Sequence, residues 1–300
     1  MSQTGLMSTG DASVVCVAHA AGPLRRLRQW ELLELIGSGS LAEVFRARPA
    51  GASTADYAVK MLRAGWQDDP HAIRLLQREA LVGQSVFHPH LIPVLAGHTT
   101  ESPRWLVMPW LDGESLGARL ASGRRFSVSE SLWIARQTAE ALQALHAAGW
   151  MHGDVTPGNL QISPTGHATL LDLNFARRGD EFGSAVDRPI MGTCGYLAPE
   201  FFSSALRPGP RSDIYSLGAV LFELLSGQKL RMSETLSQLA VEHRHGEQPD
   251  VAKLAPEVPR DVARLVRQMT ANDPLRRPQT DRELVDRLVT LEIAHFSQRG

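Results

Sequence analysis

The hydrophobic period of this 300-residue chain changes once, near residue 112, and that change limits the folds open to it. Before it, short apolar runs over 30–36, 43–48, 57–62, 91–97 and 105–110 read as strands. A helix interrupts them. Asp69-Pro70 opens a stretch over 71–86 with Ile73, Leu76, Ala80 and Leu81 at helical spacing. After residue 112 the pattern is helical. Ser127 and Glu130 form a capping box, and Leu132, Ile134, Ala135, Ala139, Leu142 and Leu145 make a stripe behind it. Further helical stretches cover 213–225, 233–244, 260–269 and 281–294. The spacing predicts an α+β molecule: a β-rich lobe over 25–112 joined to a mainly helical lobe over 113–296. Residues 1–24 are small, polar and patternless, which predicts a flexible tail, with 24–28 a solvated entry to the first strand.

Chemistry concentrates in 146–177. Asp154 follows His152-Gly153, Asn159 stands five residues later, and Asp172 thirteen beyond that. An acid, an amide and a second acid at such intervals suit phosphoryl transfer. One carboxylate orients the attacking hydroxyl, while the amide and the other carboxylate hold Mg²⁺ against phosphates. Two apolar runs, 160–162 and 168–171, flank Ser-Pro-Thr-Gly turn residues and predict a hairpin carrying these groups at its ends. Upstream, Gly37-Ser38-Gly39 lies between two strands rather than opening a helix. That suits a flap whose backbone N–H groups face phosphate oxygens; a plain glycine-rich hairpin turn is the bland alternative. Of 31 basic residues only Lys60, Lys229 and Lys253 are lysines. Lys60 therefore marks a site that needs a compact ammonium rather than a planar fork.

These segments resemble the catalytic and metal-binding loops of eukaryotic-type protein serine/threonine kinases, and other motifs follow in order. Tyr57-Ala58-Val59-Lys60 is similar to V-A-I-K. Gly192-Thr193 through Pro199-Glu200 is similar to G-T-x-x-Y-x-x-P-E, Asp213 through Gly218 to D-x-x-x-x-G, and Asp273-Pro274 through Arg277-Pro278 to D-P-x-x-R-P. The resemblance covers about 30–295 and implies a bilobal protein-kinase-like fold in one domain, an ATP and Mg²⁺ requirement, and a protein substrate. It implies that Asp154 is the catalytic base, that Asn159 and Asp172 carry the metal, and that Lys60, held by Glu79, carries the phosphates. Ile36, Gly37, Gly39, Val44 and Ala58 would roof the nucleotide, Met108 would stand behind adenine, and the Pro109 carbonyl and Leu111 N–H would face its edge. Glu200 and Arg277 would form a buried ion pair.

The sequence departs from the family at five places. Thr156 replaces a lysine aimed at the γ-phosphate, with Arg177 a candidate substitute. Gly153 replaces an arginine that receives an activation-loop phosphate, so activity is expected without phosphorylation at Ser184 or Thr193. Leu173-Asn174 replace Phe-Gly, with Asn chosen for its tolerance of a left-handed backbone. Gly83 leaves a thin contact and a looser helix where a bulky side chain is usual. Gln161 makes the adenine floor more polar. Two alternatives stay open: a pseudokinase serving as a nucleotide-binding scaffold, and a small-molecule kinase, which the 192–200 motif and its paired arginine disfavour. A net charge of −1 gives no pointer to nucleic acid or anionic membrane. Cys16 and Cys194 provide no disulfide framework, so a reducing cytoplasm fits best. The apolar run 217–222 is far short of a bilayer span, and no membrane segment is expected. His243 and His245 read as a solvated helix end.

Overall fold

The computed structural model describes residues 25–181, 192–203 and 205–296. The N-terminal lobe is a six-stranded sheet formed by β1 (Arg25–Leu27), β2 (Trp30–Ser38), β3 (Ala42–Pro49), β4 (Tyr57–Leu62), β5 (Ala96–His98) and β6 (Trp105–Pro109). All neighbours are antiparallel in the order β1-β2-β3-β4-β6-β5. The period-2 alternation sends β4 side chains to two different cores. Val59 and Met61 pack outward with Leu27, Trp30, Leu32, Ala47, Trp105 and Val107. Leu62 and Met108 face the main core. Residues 24–28 were expected only to lead into the sheet. In fact Arg25–Leu27 pairs with β2 and Leu27 is buried, because Trp30 gives it an apolar partner on the outer face.

Helix α1 (Pro70–Ser85) crosses the inner face. Asp69 caps it by accepting from the His71 and Ala72 N–H groups, and Pro70 fits where no intrahelical donor is needed. The expected strand over 91–97 does not form. Only Ala96–His98 joins the sheet, because Pro93 interrupts the run and the chain turns instead toward the other lobe. There Leu91 makes an isolated parallel bridge with Leu170: the Ile92 N–H donates to the Leu170 carbonyl at 3.0 Å and the Leu170 N–H to His90 at 2.8 Å.

The C-terminal lobe opens with β7 (Glu114–Ser115), α2 (Leu116–Ala121) and α3 (Val128–Ala147), the last with the expected Ser127/Glu130 capping box. Then come β8 (Trp150–Met151), β9 (Leu160–Ile162), β10 (Ala168–Leu170) and β11 (Arg177–Arg178). Strands β9 and β10 form the expected hairpin, with β7 alongside, and β11 pairs with β8. Helices α4 (Pro210–Ser226), α5 (Leu236–His245), α6 (Val251–Leu254), α7 (Arg260–Met269) and α8 (Asp281–His295) complete the chain. The apolar run within α4 makes it the central helix, buried all round from Ser212 to Ser226 and packed on α3 and α7. Among the described residues no helix is long and apolar enough to cross a membrane.

Candidate active site

The sheet register brings the roof residues to one face. Val44 lies opposite Lys60, Ala58 is two residues before Lys60, and Met108 lies opposite Ala58. Gly37 pairs with Val44, and the Gly39 N–H closes a turn on the Ala42 carbonyl at 2.9 Å. Ile36 is half-buried in β2, and Pro109 ends β6 opposite Tyr57. Beyond it the Leu111 carbonyl accepts from the Gln161 amide at 3.3 Å, so the polar floor residue is tied to the segment joining the lobes.

Lys60 Nζ lies 2.7 Å from Glu79 Oε2 and 2.9 Å from Asp172 Oδ1, joining β4, α1 and the loop after β10. Burial alone would lower the Lys60 ammonium, but Asp172 and Glu79 outweigh it and push it above its usual range. Burial pushes Glu79 up against the pull of Lys60. Asp172 has a left-handed backbone, φ 62°. Asn174 was expected to take that conformation. It does not, since it sits in a short 3₁₀ turn (Leu173–Phe175) whose start is Asp172 itself. The Asn174 side-chain oxygen is buried without a hydrogen-bond partner.

Gly83 was expected to leave a thin contact, and the reverse holds. A Cβ there would lie 2.5 Å from Val94 Cγ2, and the Gly83 carbonyl accepts from the Val94 N–H at 2.9 Å. Without a side chain, α1 lies backbone-close on the 91–95 segment, one turn beyond Glu79.

Asp154 Oδ2 accepts from Asn159 Nδ2 at 2.8 Å and Oδ1 from the Thr193 N–H at 2.7 Å. Burial raises the Asp154 carboxyl against the pull of Thr193 and His152. The Asn159 nitrogen also donates to the Asp154 carbonyl at 2.9 Å, which leaves its oxygen for a cation. That oxygen and the Asp172 carboxylate are donors of the oxygen type that Mg²⁺ prefers. No group of three or more His, Cys, Asp or Glu placed to hold a metal occurs among the described residues.

A second layer, which the sequence did not reveal, holds this loop. Asp213 accepts from the His152 and Gly153 N–H groups at 2.7 and 2.9 Å. His146 joins Asp213 at 2.8 Å to Asp281 at 2.7 Å. Burial would lower His146, but the two carboxylates push it up to about 9. Gly153 has φ +80°, and a Cβ there would meet the Phe175 carbonyl at 3.0 Å, so glycine suits the backbone. Arg177 lies in β11 opposite Met151, with Arg78 and Glu181 among the charges near it. Ser184 lies outside the described residues.

Glu200 and Arg277 meet as expected, at 2.6 and 2.8 Å in a two-point contact. His243 is not solvated. It is buried in α5, with Nε2 2.9 Å from the Leu197 carbonyl. Its spacing of four from buried Leu239 was the available signal.

Comparison with known proteins agrees with this arrangement. Residues 30–288 match the model of the protein kinase domain. The chain is 28% identical over 245 residues to the probable serine/threonine-protein kinase PknB of Lactococcus lactis, covering 82% of this chain and 39% of that protein. It is 28% identical over 256 residues to PrkC, a serine/threonine-protein kinase of Bacillus subtilis, covering 85% and 39%. It is 31% identical over 256 residues to the serine/threonine-protein kinase PknA of Mycobacterium tuberculosis, covering 83% and 58%. The chain thus spans between 39% and 58% of the length of these relatives.

Proposed function

Because the chain belongs to the protein kinase domain family, we propose that it transfers the γ-phosphoryl group of ATP to serine or threonine hydroxyls of proteins. The observation that carries this reading is the closed Lys60–Glu79–Asp172 triad. It joins both lobes and presents one ammonium and two carboxylates where triphosphate and metal would meet.

In this reading the Lys60 ammonium holds the α- and β-phosphates, and Glu79 fixes its position. The Gly37–Gly39 turn covers the phosphates, and Val44, Ala58 and Met108 enclose the base. Asn159 and Asp172 would hold Mg²⁺, which when bound supplies neutralising charge to the phosphates. The substrate hydroxyl oxygen attacks the γ-phosphorus, the bond to the bridging oxygen of ADP breaks, and Asp154 takes the hydroxyl proton. Its two hydrogen bonds aim the carboxylate, and burial makes it a better proton acceptor than an exposed aspartate. A protein substrate is favoured over a small molecule because the Thr193–Glu200 stretch runs from Asp154 to a stapled end at Arg277. The unpaired Cys194 accords with a reducing cytoplasm.

The test is the intact mass of the protein after incubation with Mg²⁺ and ATP, beside Asp154→Asn. Gain of phosphate by the parent alone is the expected result. No gain in either, with ATP still raising the melting temperature, would sink the catalytic reading in favour of a nucleotide-binding scaffold.

A further inference from the structure

Arg231 heads the fully buried side chains by size, at 1% exposure. Its Nη1 reaches Glu242 at 3.4 Å and the Glu247 carbonyl at 3.2 Å. Its Nε and Nη2 have no well-formed hydrogen bond, and neither do His243 Nδ1 and the Tyr215 hydroxyl, which the Arg231 guanidinium approaches. These orphans are neighbours. The Tyr215 and His243 rings meet edge-on with centroids 5.7 Å apart. Burial and then the Arg231 charge push His243 down to about 4, and the same guanidinium opposes the upward push of burial on the Tyr215 phenol.

An unpartnered buried polar group loses its hydration with nothing in return, so the set needs a common partner. Its chemistry is specified from outside. The Leu197 carbonyl can only accept, so His243 Nε2 carries the proton and Nδ1 is an acceptor. Two guanidinium N–H groups donate, Nδ1 accepts, and the hydroxyl can do either. A water molecule, with two donors and two acceptors, matches this set. Charge excludes an anion: Glu242 balances Arg231, Glu200 balances Arg277, and the imidazole is neutral.

We propose that Arg231, Tyr215 and His243 form a buried polar network, completed by one internal water, that positions the Thr193–Ala198 stretch for protein substrate. The stretch is held at its start by Asp154 and just past its end, at Glu200, by Arg277. His243 pins its middle at Leu197, and the Arg231 carbonyl lies beneath Gly195, 3.2 Å from where a Cβ would stand. The stretch starts at the Thr193 N–H that Asp154 accepts from, so it lies beside the carboxylate that would meet a substrate hydroxyl. His243 is therefore a positioning residue, acting through the Leu197 carbonyl. This role rests on the kinase reading above; the network itself does not.

Two variants of the full chain separate the links. His243→Phe removes both ring contacts, while His243→Gln keeps an amide able to donate to Leu197. In His243→Phe the KM for casein, used as a generic phosphoacceptor, should rise about tenfold, the worth of one buried hydrogen bond. The KM for ATP and kcat should stay within about twofold, the split expected when only acceptor binding is disturbed. Amide exchange over 193–198 should speed by about tenfold, and His243→Gln should restore most of both effects. A high-resolution crystal structure should show a water in reach of Arg231 Nε and His243 Nδ1. Unchanged exchange in His243→Phe, or direct pairing of Arg231 with His243 without a water, would overturn the network. An unchanged casein KM alongside faster exchange would overturn the positioning role. If the parent transfers no phosphate, the kinase reading falls and the positioning role with it, while exchange and the crystal structure still decide the network.

Discussion

Two buried ion-pair centres lie at opposite ends of the site and are built on different principles. Arg277 and Glu200 are 0% and 1% exposed. Every Arg277 nitrogen is used, on Glu200 and on the carbonyls of Ala271, Arg211 and Asn272, and Ser212 adds a bond to Glu200. Lys60 instead divides one ammonium between two carboxylates, and Asp172 remains 32% exposed at the cleft. The first centre is complete as it stands and acts as a staple. The second carries excess negative charge on its open side, which supports the proposed binding of a cation and phosphates there. A fully satisfied pair is costly to break, whereas one with spare charge is open to a further partner.

The comparison can be broken in graded steps. Arg277→Ala should have the largest effect, destabilising the fold by about 3–5 kcal/mol by leaving Glu200 buried and unpaired. Urea unfolding measures this. Lys60→Met should weigh the other way: phosphoryl transfer falls about 10²–10³-fold, while the loss of stability is smaller than in Arg277→Ala, because Asp172 is 32% exposed and Glu79, already pushed up by burial, can take a proton. Equal destabilisation by both variants would abolish the distinction. His146 lies between the extremes. Its folded pKa, about 9, exceeds the usual 6.5, so its contribution is fully present below pH 6.5 and is lost as pH rises through 9. The loss should be roughly 3 kcal/mol at most, read as a fall in stability between pH 6.5 and 9.5 that is absent in His146→Gln. Smallest is Gly83→Ala. Its Cβ would stand 2.5 Å from Val94 Cγ2, and overpacking of about 1–3 kcal/mol should outweigh the roughly 1 kcal/mol of helix propensity gained. Because α1 carries Glu79, activity should fall further than stability; a stabilised, fully active variant would show that α1 is not set by this contact.

The bilobal layout was legible because period 2 and period 3.6 segregate along the chain. The grouping of Asp154, Asn159 and Asp172 was legible because their spacing places them around one hairpin, whereas the arrival of Lys60 and Glu79 beside Asp172 was implied only by the family resemblance. Where pattern reading went wrong, local signals were ambiguous. The run 91–97 is apolar enough for a strand, yet Pro93 and the pull of Leu170 decide otherwise. The charged surroundings of His243 suggested solvent, while its neighbours in the fold are Leu197, Phe202 and Tyr215. The His146–Asp213–Asp281 bridge joins residues 67 and 135 positions apart, which no local pattern encodes. Asp172 took the left-handed backbone because its carboxylate must turn back to Lys60, a tertiary demand that overrides residue preference.

The bridge between Leu91 and Leu170 has a mechanical consequence. The upper lobe meets the lower one through the covalent segment around 110–113 and again through this bridge, reinforced by His90 on the Ala168 carbonyl and His167 on Pro89. The Lys60–Asp172 contact is a third link and lies across the cleft, so it must part before the cleft opens; the two links that remain then allow only a turn about the line joining them. Opening of the cleft should follow that single axis, with the 88–92 loop nearly stationary while the glycine turn at 37–39 sweeps the widest arc.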